Sequence, residues 1–203
     1  MAMIYEDIVK NIKTIVENYK EEPIAGWITG HGPIPCRIMF IGEAPGKTEV
    51  EKQRPFVGAA GKILDKYLNS IGLSCENIRI SNTCFFRPIK ITKGKNGKET
   101  ISNRTPKSSE IELFREVLDE EIKLVNPSII VTLGNIPLRR FTEFKSIGEC
   151  HGIIYFNEKL GVYVFPMYHP SALIYNRSEE LLKVYEEDWK KLKIALEKIE
   201  AWR

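Results

Sequence analysis

Residues 37–64, RIMFIGEAPGKTEVEKQRPFVGAAGKIL, decide how the rest of the chain is read. An apolar β-branched run from Arg37 breaks at Gly42-Glu43-Ala44-Pro45-Gly46, a charged segment follows, and Pro55-Phe56-Val57-Gly58 precedes an amphipathic helical pattern. The order is strand, tight polar loop, helix start. In open α/β sheets ligands bind beyond the carboxyl ends of strands, where such loops free their backbone amides, so a site is expected here.

Gly46-Lys47-Thr48 invites comparison with a phosphate-cradling P-loop. That motif needs a glycine five positions before the Gly-Lys pair, and Ile41 stands there. Pro45 also lacks an amide that the cradle would use. Nucleoside triphosphate hydrolysis is not supported.

Working outward, residues 3–19 place Ile4, Ile8, Ile12, Ile15, Val16 and Tyr19 at helical spacing, and residues 21–35 read as a Pro- and Gly-rich loop containing Trp27 and His31. Ile63, Leu64, Tyr67, Leu68 and Ile71 predict a helix that Gly72 ends. Residues 78–83 read as a strand ending on a polar pair, with Arg87-Pro88 closing the next loop. Residues 90–107 carry Lys90, Lys93, Lys95, Lys98, Arg104 and Lys107 against the single acid Glu99, and read as an exposed basic loop. Such a run is either solvated surface or a contact for DNA phosphates.

A helix capped by Ser108 or Ser109 is expected to run to Val125, followed by a buried parallel strand at 128–134 and a short helix at 135–141. Two β-rich runs, 150–156 and 162–167, lead to Tyr168-His169-Pro170-Ser171-Ala172-Leu173, and a charged helix spans 178–202. Strands alternating with helices predict an α/β fold with a mainly parallel sheet, and a chain of 203 residues is expected to form one domain over 1–203.

Composition is that of an ordinary globular protein, and the net charge of +3 does not by itself identify a nucleic-acid partner. No apolar run reaches membrane-spanning length and the N-terminus is unlike a signal peptide, so a cytoplasmic location is expected. Cys36, Cys75, Cys84 and Cys150 form no C-x-x-C pair and read as reduced, mostly buried thiols, so no metal site is expected.

The loop motif, Gly42 to Gly46 with Glu49, Pro55 to Gly58 and Ala60-Gly61, resembles the first motif of the family-four uracil-DNA glycosylases. Asn82 with Arg87-Pro88 and His169-Pro170-Ser171 resemble later motifs of that family, in the same order. Val50 and Gln53 depart from the usual acid and glycine. The resemblance implies a three-layer αβα sandwich and hydrolysis of the N-glycosidic bond of uracil flipped out of DNA, leaving an abasic site. It implies Glu43, Glu49 and His169 as catalytic groups and Gly42, Ala44, Gly46, Phe56, Asn82 and Ser171 as substrate-binding groups. Arg87, Leu173, Tyr175 and Arg177 are implied as DNA contacts. The partner implied is uracil-containing DNA, with no membrane and a monomeric enzyme expected.

Each residue also has a plainer reading: Phe56 and Leu173 as core, Asn82 as a turn former, Glu43 as a solvated acid, His169 as a structural histidine. The functional alternatives are a glycosylase-fold protein that binds DNA or a modified base without turnover, and excision of a wider range of deaminated bases. Many family-four members hold an iron-sulfur cluster on four cysteines; here Phe86 and Phe114 fill two of those positions and no cysteine pair precedes the first motif, so no cofactor is expected.

Overall fold

The computed structural model describes residues 4–94 and 96–201. Met3, Lys95 and Trp202, which the sequence reading placed in the first helix, the basic loop and the last helix, lie outside the described residues.

Five strands form the central sheet: β2 (Ile38–Gly42), β3 (Arg79–Asn82), β6 (Ile129–Leu133), β7 (Tyr155–Asn157) and β8 (Val162–Met167), numbered in chain order with β1 (Ile24–Trp27), β4 (Phe86–Lys93) and β5 (Glu99–Asn103) of a second sheet. The order is β3-β2-β6-β8-β7, parallel except for the edge strand β7. Alternation along the strands sends side chains into two cores. Met39, Ile41, Ile130 and Val164 face one cluster, and Phe40, Val131, Phe165 and Met167 face the other.

Helices cover both faces. On one side pack α1 (Tyr5–Asn18) and the pair α4 (Ser108–Leu113) and α5 (Arg115–Val125), through Ile8, Ile12, Val117 and Leu118. On the other pack α3 (Ala59–Ser70) and α8 (Glu179–Ala201), through Leu64, Leu68, Tyr185 and Trp189. Short helices α2 (Lys47–Lys52), α6 (Asn135–Phe141) and α7 (Ala172–Tyr175) follow β2, β6 and β8. This is the expected α/β three-layer arrangement.

Three local readings are corrected. The segment 90–107 is not a structureless loop: β4 and β5 form an antiparallel hairpin, with Ile89 opposite Asn103 and Ile91 opposite Ile101. Its alternating Ile89 and Ile91 and its Asn96-Gly97 turn are strand and hairpin signals that the lysine content masked. The segment 21–35 contains β1, which pairs antiparallel with the root of β4. The helix expected from Ser108 to Val125 breaks at Phe114, and the cap lies one residue earlier, where the Lys107 amide donates to Glu110 Oε2 at 2.7 Å.

The break accompanies the burial of Phe114 against Phe86 and Phe85, at centroid distances of 5.3 and 5.4 Å, while the Tyr19 ring lies tilted against Phe86 at 4.8 Å. Phe86 and Phe114 occupy two of the positions at which the family resemblance places thiolates. The cysteines are dispersed: Cys36 faces the Ile38 carbonyl, Cys75 faces Asp65, Cys84 faces the Phe86 carbonyl and Cys150 the Ser146 carbonyl. The residues present therefore do not fit an iron-sulfur cluster.

The position of β3 is fixed from below by a buried ion pair. Arg79 donates to Glu121 Oε1 from Nε at 3.0 Å and from a terminal nitrogen at 2.6 Å, and the Ser81 hydroxyl donates to Glu121 Oε2 at 2.6 Å. Breaking one side of such a pair leaves an uncompensated buried charge, so the strand's register on α5 is strongly held. Asn82, the last residue of β3, inherits that placement.

Candidate active site

The carboxyl ends of β2, β3, β6 and β8 open into one cleft of about 850 Å³, lined among others by Glu43, Glu49, Phe56, Asn82, Gly134 and His169. It is built first on β2. The carbonyl of Glu43 accepts the Cys84 amide at 3.0 Å and the Thr83 hydroxyl at 2.8 Å, and Gly42 accepts the Thr83 amide at 3.0 Å. The loops after β2 and β3 are thereby tied together.

Gly42 leaves room for what converges above it. A Cβ there would lie 2.7 Å from Asn82 Oδ1 and 2.9 Å from Phe56 Cζ, so a side chain at this position would displace both. Phe56 itself has φ of 53°, a left-handed conformation uncommon for a bulky residue. Its strain is held by packing: the Phe56 carbonyl would lie 1.7 Å from a Cβ at Gly61, so α3 sits directly against it. Glu49 adds a brace, since its Oε1 accepts the Gly58 amide at 3.2 Å.

Asn82 is largely buried but lines the cleft, and its side-chain amide takes part in none of the hydrogen bonds found among the described residues. A buried amide without a partner is costly, and one that faces a cleft offers its donor and acceptor to a ligand.

His169 enters from β8. Gly134, with φ of 89°, would put a Cβ 3.2 Å from the His169 Cβ, so a bare backbone after β6 lets the histidine approach. The Ser171 amide donates to His169 Nδ1 at 3.2 Å, and the Ser171 hydroxyl lies 2.7 Å from the same nitrogen. An amide only donates, so Nδ1 accepts, and the ring proton resides on Nε2. Burial lowers the His169 pKa to about 4, and the ring is neutral at pH 7. Burial acts on Glu43 in the opposite sense, raising its carboxyl above the usual range, with the Thr105 hydroxyl partly opposing.

The expected DNA contacts divide. Ala172, Ile174 and Tyr175 line the cleft beside Ser171, and Tyr175 is 87% exposed. Leu173 instead packs partly buried against the core below, and Arg177 is exposed just beyond α7. Arg87 is buried, and its Nε donates to Asn103 Oδ1 at 2.7 Å, so it meets the cleft only through Asn103. Ala44 and Gly46 line the cleft, whereas Gly42 lies beneath Asn82 and Phe56.

Sequence reasoning passed over Asn103, Thr105 and Arg139 and named Arg104 only as part of the basic segment; all four also line the cleft. Asn103 stands over the first motif, its Nδ2 lying 3.3 Å from a Cβ placed at Gly46. Arg104 is held by Glu110 through two contacts of 2.6 Å, and Glu110 also accepts the Tyr19 hydroxyl at 2.6 Å. Arg104 and Tyr19 drive the Glu110 pKa down to about 2, against the opposing effect of burial, which is the largest single influence on it.

The arrangement offers an aromatic ring, a free amide, a neutral imidazole donor and a half-buried carboxylate around one space. A family model described as the Uracil DNA glycosylase superfamily matches residues 29–193. The chain is 38% identical over 175 residues to a type-4 uracil-DNA glycosylase of Sulfurisphaera tokodaii, covering 82% of this chain and 73% of that protein. It is 34% identical over 194 residues to a type-4 uracil-DNA glycosylase of Archaeoglobus fulgidus, covering 92% and 90%. A type-4 uracil-DNA glycosylase of Thermotoga maritima is 35% identical over 175 residues, covering 84% and 83%.

Proposed function

The chain belongs to the uracil-DNA glycosylase superfamily, and on that premise we propose that it is a DNA repair enzyme that hydrolyses the N-glycosidic bond of uracil flipped out of DNA. The observation that carries this reading for its own residues is the convergence of the unpartnered Asn82 amide and the Phe56 ring above Gly42.

Uracil stacks on Phe56 and presents N3-H and O4 to Asn82, whose carbonyl and amino groups match them in polarity. Cytosine presents the opposite pattern, and mismatched buried hydrogen bonds reject it. As the glycosidic bond breaks, negative charge collects on the uracil and positive charge on the sugar. The Nε2-H of neutral His169 donates to O2 of the departing base, stabilising the anion without giving up a proton. Ser171 holds the ring in that tautomer.

Glu43 orients the attacking water and faces the sugar cation: it lines the cleft, and burial holds its carboxyl above the usual range, which suits a base. Glu49 acts on Phe56 through Gly58, and is a positioning residue. Ala44 and Gly46 contribute the cleft wall beside Glu43. Tyr175 and Ile174 fill the space left in the stack, and Arg177 holds a neighbouring phosphate. Every role is filled by a side chain or backbone amide, so neither metal nor nucleotide is asked for. The enzyme works as a single-domain monomer in the cytoplasm.

Single-turnover excision from uracil-containing oligonucleotides tests the reading. Asn82→Ala is expected to lose roughly 2 to 4 kcal/mol of transition-state stabilisation, with the melting temperature little changed. Intact uracil DNA after incubation with stoichiometric wild-type protein would overturn the activity, and near-normal kinetics in the variant would remove Asn82 from the site.

A further inference from the structure

The β4–β5 hairpin leaves the body of the protein at Lys90: residues 86–89 are buried, and residues 90–93 and 99–103 are exposed on both faces. A two-stranded ribbon with both faces in water adds no core of its own. Its root, however, reaches the active cleft, because Pro88, Asn103, Arg104 and Thr105 line it. Side chains alternate along a strand, so Ile101 lies on the face that carries Asn103 to the cleft, paired across the ribbon with Ile91. These isoleucines are 55% and 45% exposed. The opposite face carries Lys90, Thr92, Thr100 and Ser102, with Lys98 near the tip. Lys93 pairs with Glu99 at 3.4 Å, whereas Lys90 and Lys98 have no carboxylate partner among the described residues.

The sheet order shows where this ribbon stands. It follows β3, at one edge, while α7 follows β8, on the far side of β2 and β6. The hairpin and α7 therefore border the cleft from opposite sides. A DNA strand whose uracil occupies the cleft must leave the mouth past both.

We propose that the β4–β5 hairpin is a second DNA-contact arm, gripping the strand that flanks the flipped nucleotide: Ile91 and Ile101 lie against sugar and base surfaces, and Lys90 and Lys98, whose face also reaches the cleft at its root through Pro88 and Arg104, extend round the ribbon edge to phosphates. The inference rests on the reading of the cleft as a uracil pocket. The arm sets affinity for extended DNA and does not take part in bond breaking. The isoleucine pair also holds the ribbon together, so the lysines carry the test.

The test compares wild type with K90Q/K98Q and with K90R/K98R in two measurements. The first is equilibrium binding to a long uracil-free oligonucleotide as salt is varied. The log-log slope is expected to become shallower by about 1.4 to 1.8 in K90Q/K98Q, since each phosphate contact contributes about 0.7 in single strands and 0.9 in duplex. Affinity should fall at least tenfold, and the arginine pair should restore it. The second is kcat/KM on a uracil trinucleotide and on a long uracil oligonucleotide. Loss confined to the long substrate is the expected result. Equal binding and equal salt slope in a folded K90Q/K98Q variant would overturn the arm, as would an equal loss on both substrates. Binding to uracil-free DNA needs no excision, so a wild type that binds through these lysines but leaves uracil intact would keep the arm and refute the activity.

Discussion

The Phe56 ring lies 5.6 Å from the His169 imidazole, centroid to centroid, with their planes inclined by 37°. The group proposed to support the face of the base and the group proposed to receive its charge are therefore in contact before any substrate arrives. That contact closes one wall of the pocket with residues from separate loops, and makes the glycines beneath and beside it the points of least tolerance.

Gly42→Ala tests that intolerance directly. The new methyl would sit within 3 Å of both Asn82 Oδ1 and Phe56 Cζ. Overpacking of this kind costs about 1 to 3 kcal/mol. The expected outcome is a folded protein with a small drop in melting temperature and excision reduced by more than the stability change explains. Unchanged single-turnover rates would show that the two side chains can separate without consequence.

The two carboxylates should separate by substitution with their neutral isosteres. Glu43→Gln is expected to lower kcat by about two to four orders of magnitude, in the range of a lost general base, with no loss of stability because burial already disfavours its charge. Glu49→Gln keeps an oxygen that can accept the Gly58 amide, and should retain most activity; Glu49→Ala should lose more. The reverse ranking would exchange their roles.

Stability against acid carries the signature of His169. Its pKa falls from 6.5 to about 4 on folding, so between these values the unfolded chain binds the extra proton. Stability thus rises with pH through that window, is fully present above it, and is lost as pH falls from 6.5 toward 4. The contribution is at most roughly 3 kcal/mol. Chemical denaturation across this range should show His169→Gln with a flatter dependence than wild type. Parallel curves would mean that the imidazole is hydrated.

The ring cluster of Phe85, Phe86 and Phe114 predicts a colourless protein that is folded and active after anaerobic purification. Phe114→Ala should cost about 3 to 5 kcal/mol, as for a large buried aromatic side chain. A brown preparation whose visible absorbance bleaches on reduction would show that thiolates come together in a way the dispersed cysteines do not suggest.

The sheet and the three site loops were legible because each carries a local signal. β2, β6 and β8 are short apolar runs, and Gly42 to Gly46, Asn82 and His169-Pro170-Ser171 end such runs with residues unsuited to a core. What was not legible depends on pairing across distance. β1 is four residues long and exists by pairing with β4. The hairpin reads as polar because it buries neither face, and it is the hairpin's return that brings Asn103 and Thr105 to the cleft. The family resemblance implied Arg87 as a DNA contact, but its burial and its bond to Asn103 are tertiary facts. Leu173 shows the limit within a single turn: its apolar character fits a wedge or a core equally, and in the structure it is partly buried against the core.

The knot of hydrogen bonds that joins the loop after β2 to the loop after β3 also has a bearing on folding. Glu43 and Asn82 are far apart along the chain, and His169 is further still, so the pocket does not exist until three distant strands have found their register. Contacts of such long range pay their loop-closure entropy late. Excision activity in this protein is therefore a gauge of complete assembly. During refolding it should return with the slowest structural phase, after helical signal has recovered, and a partly folded chain should show none of it.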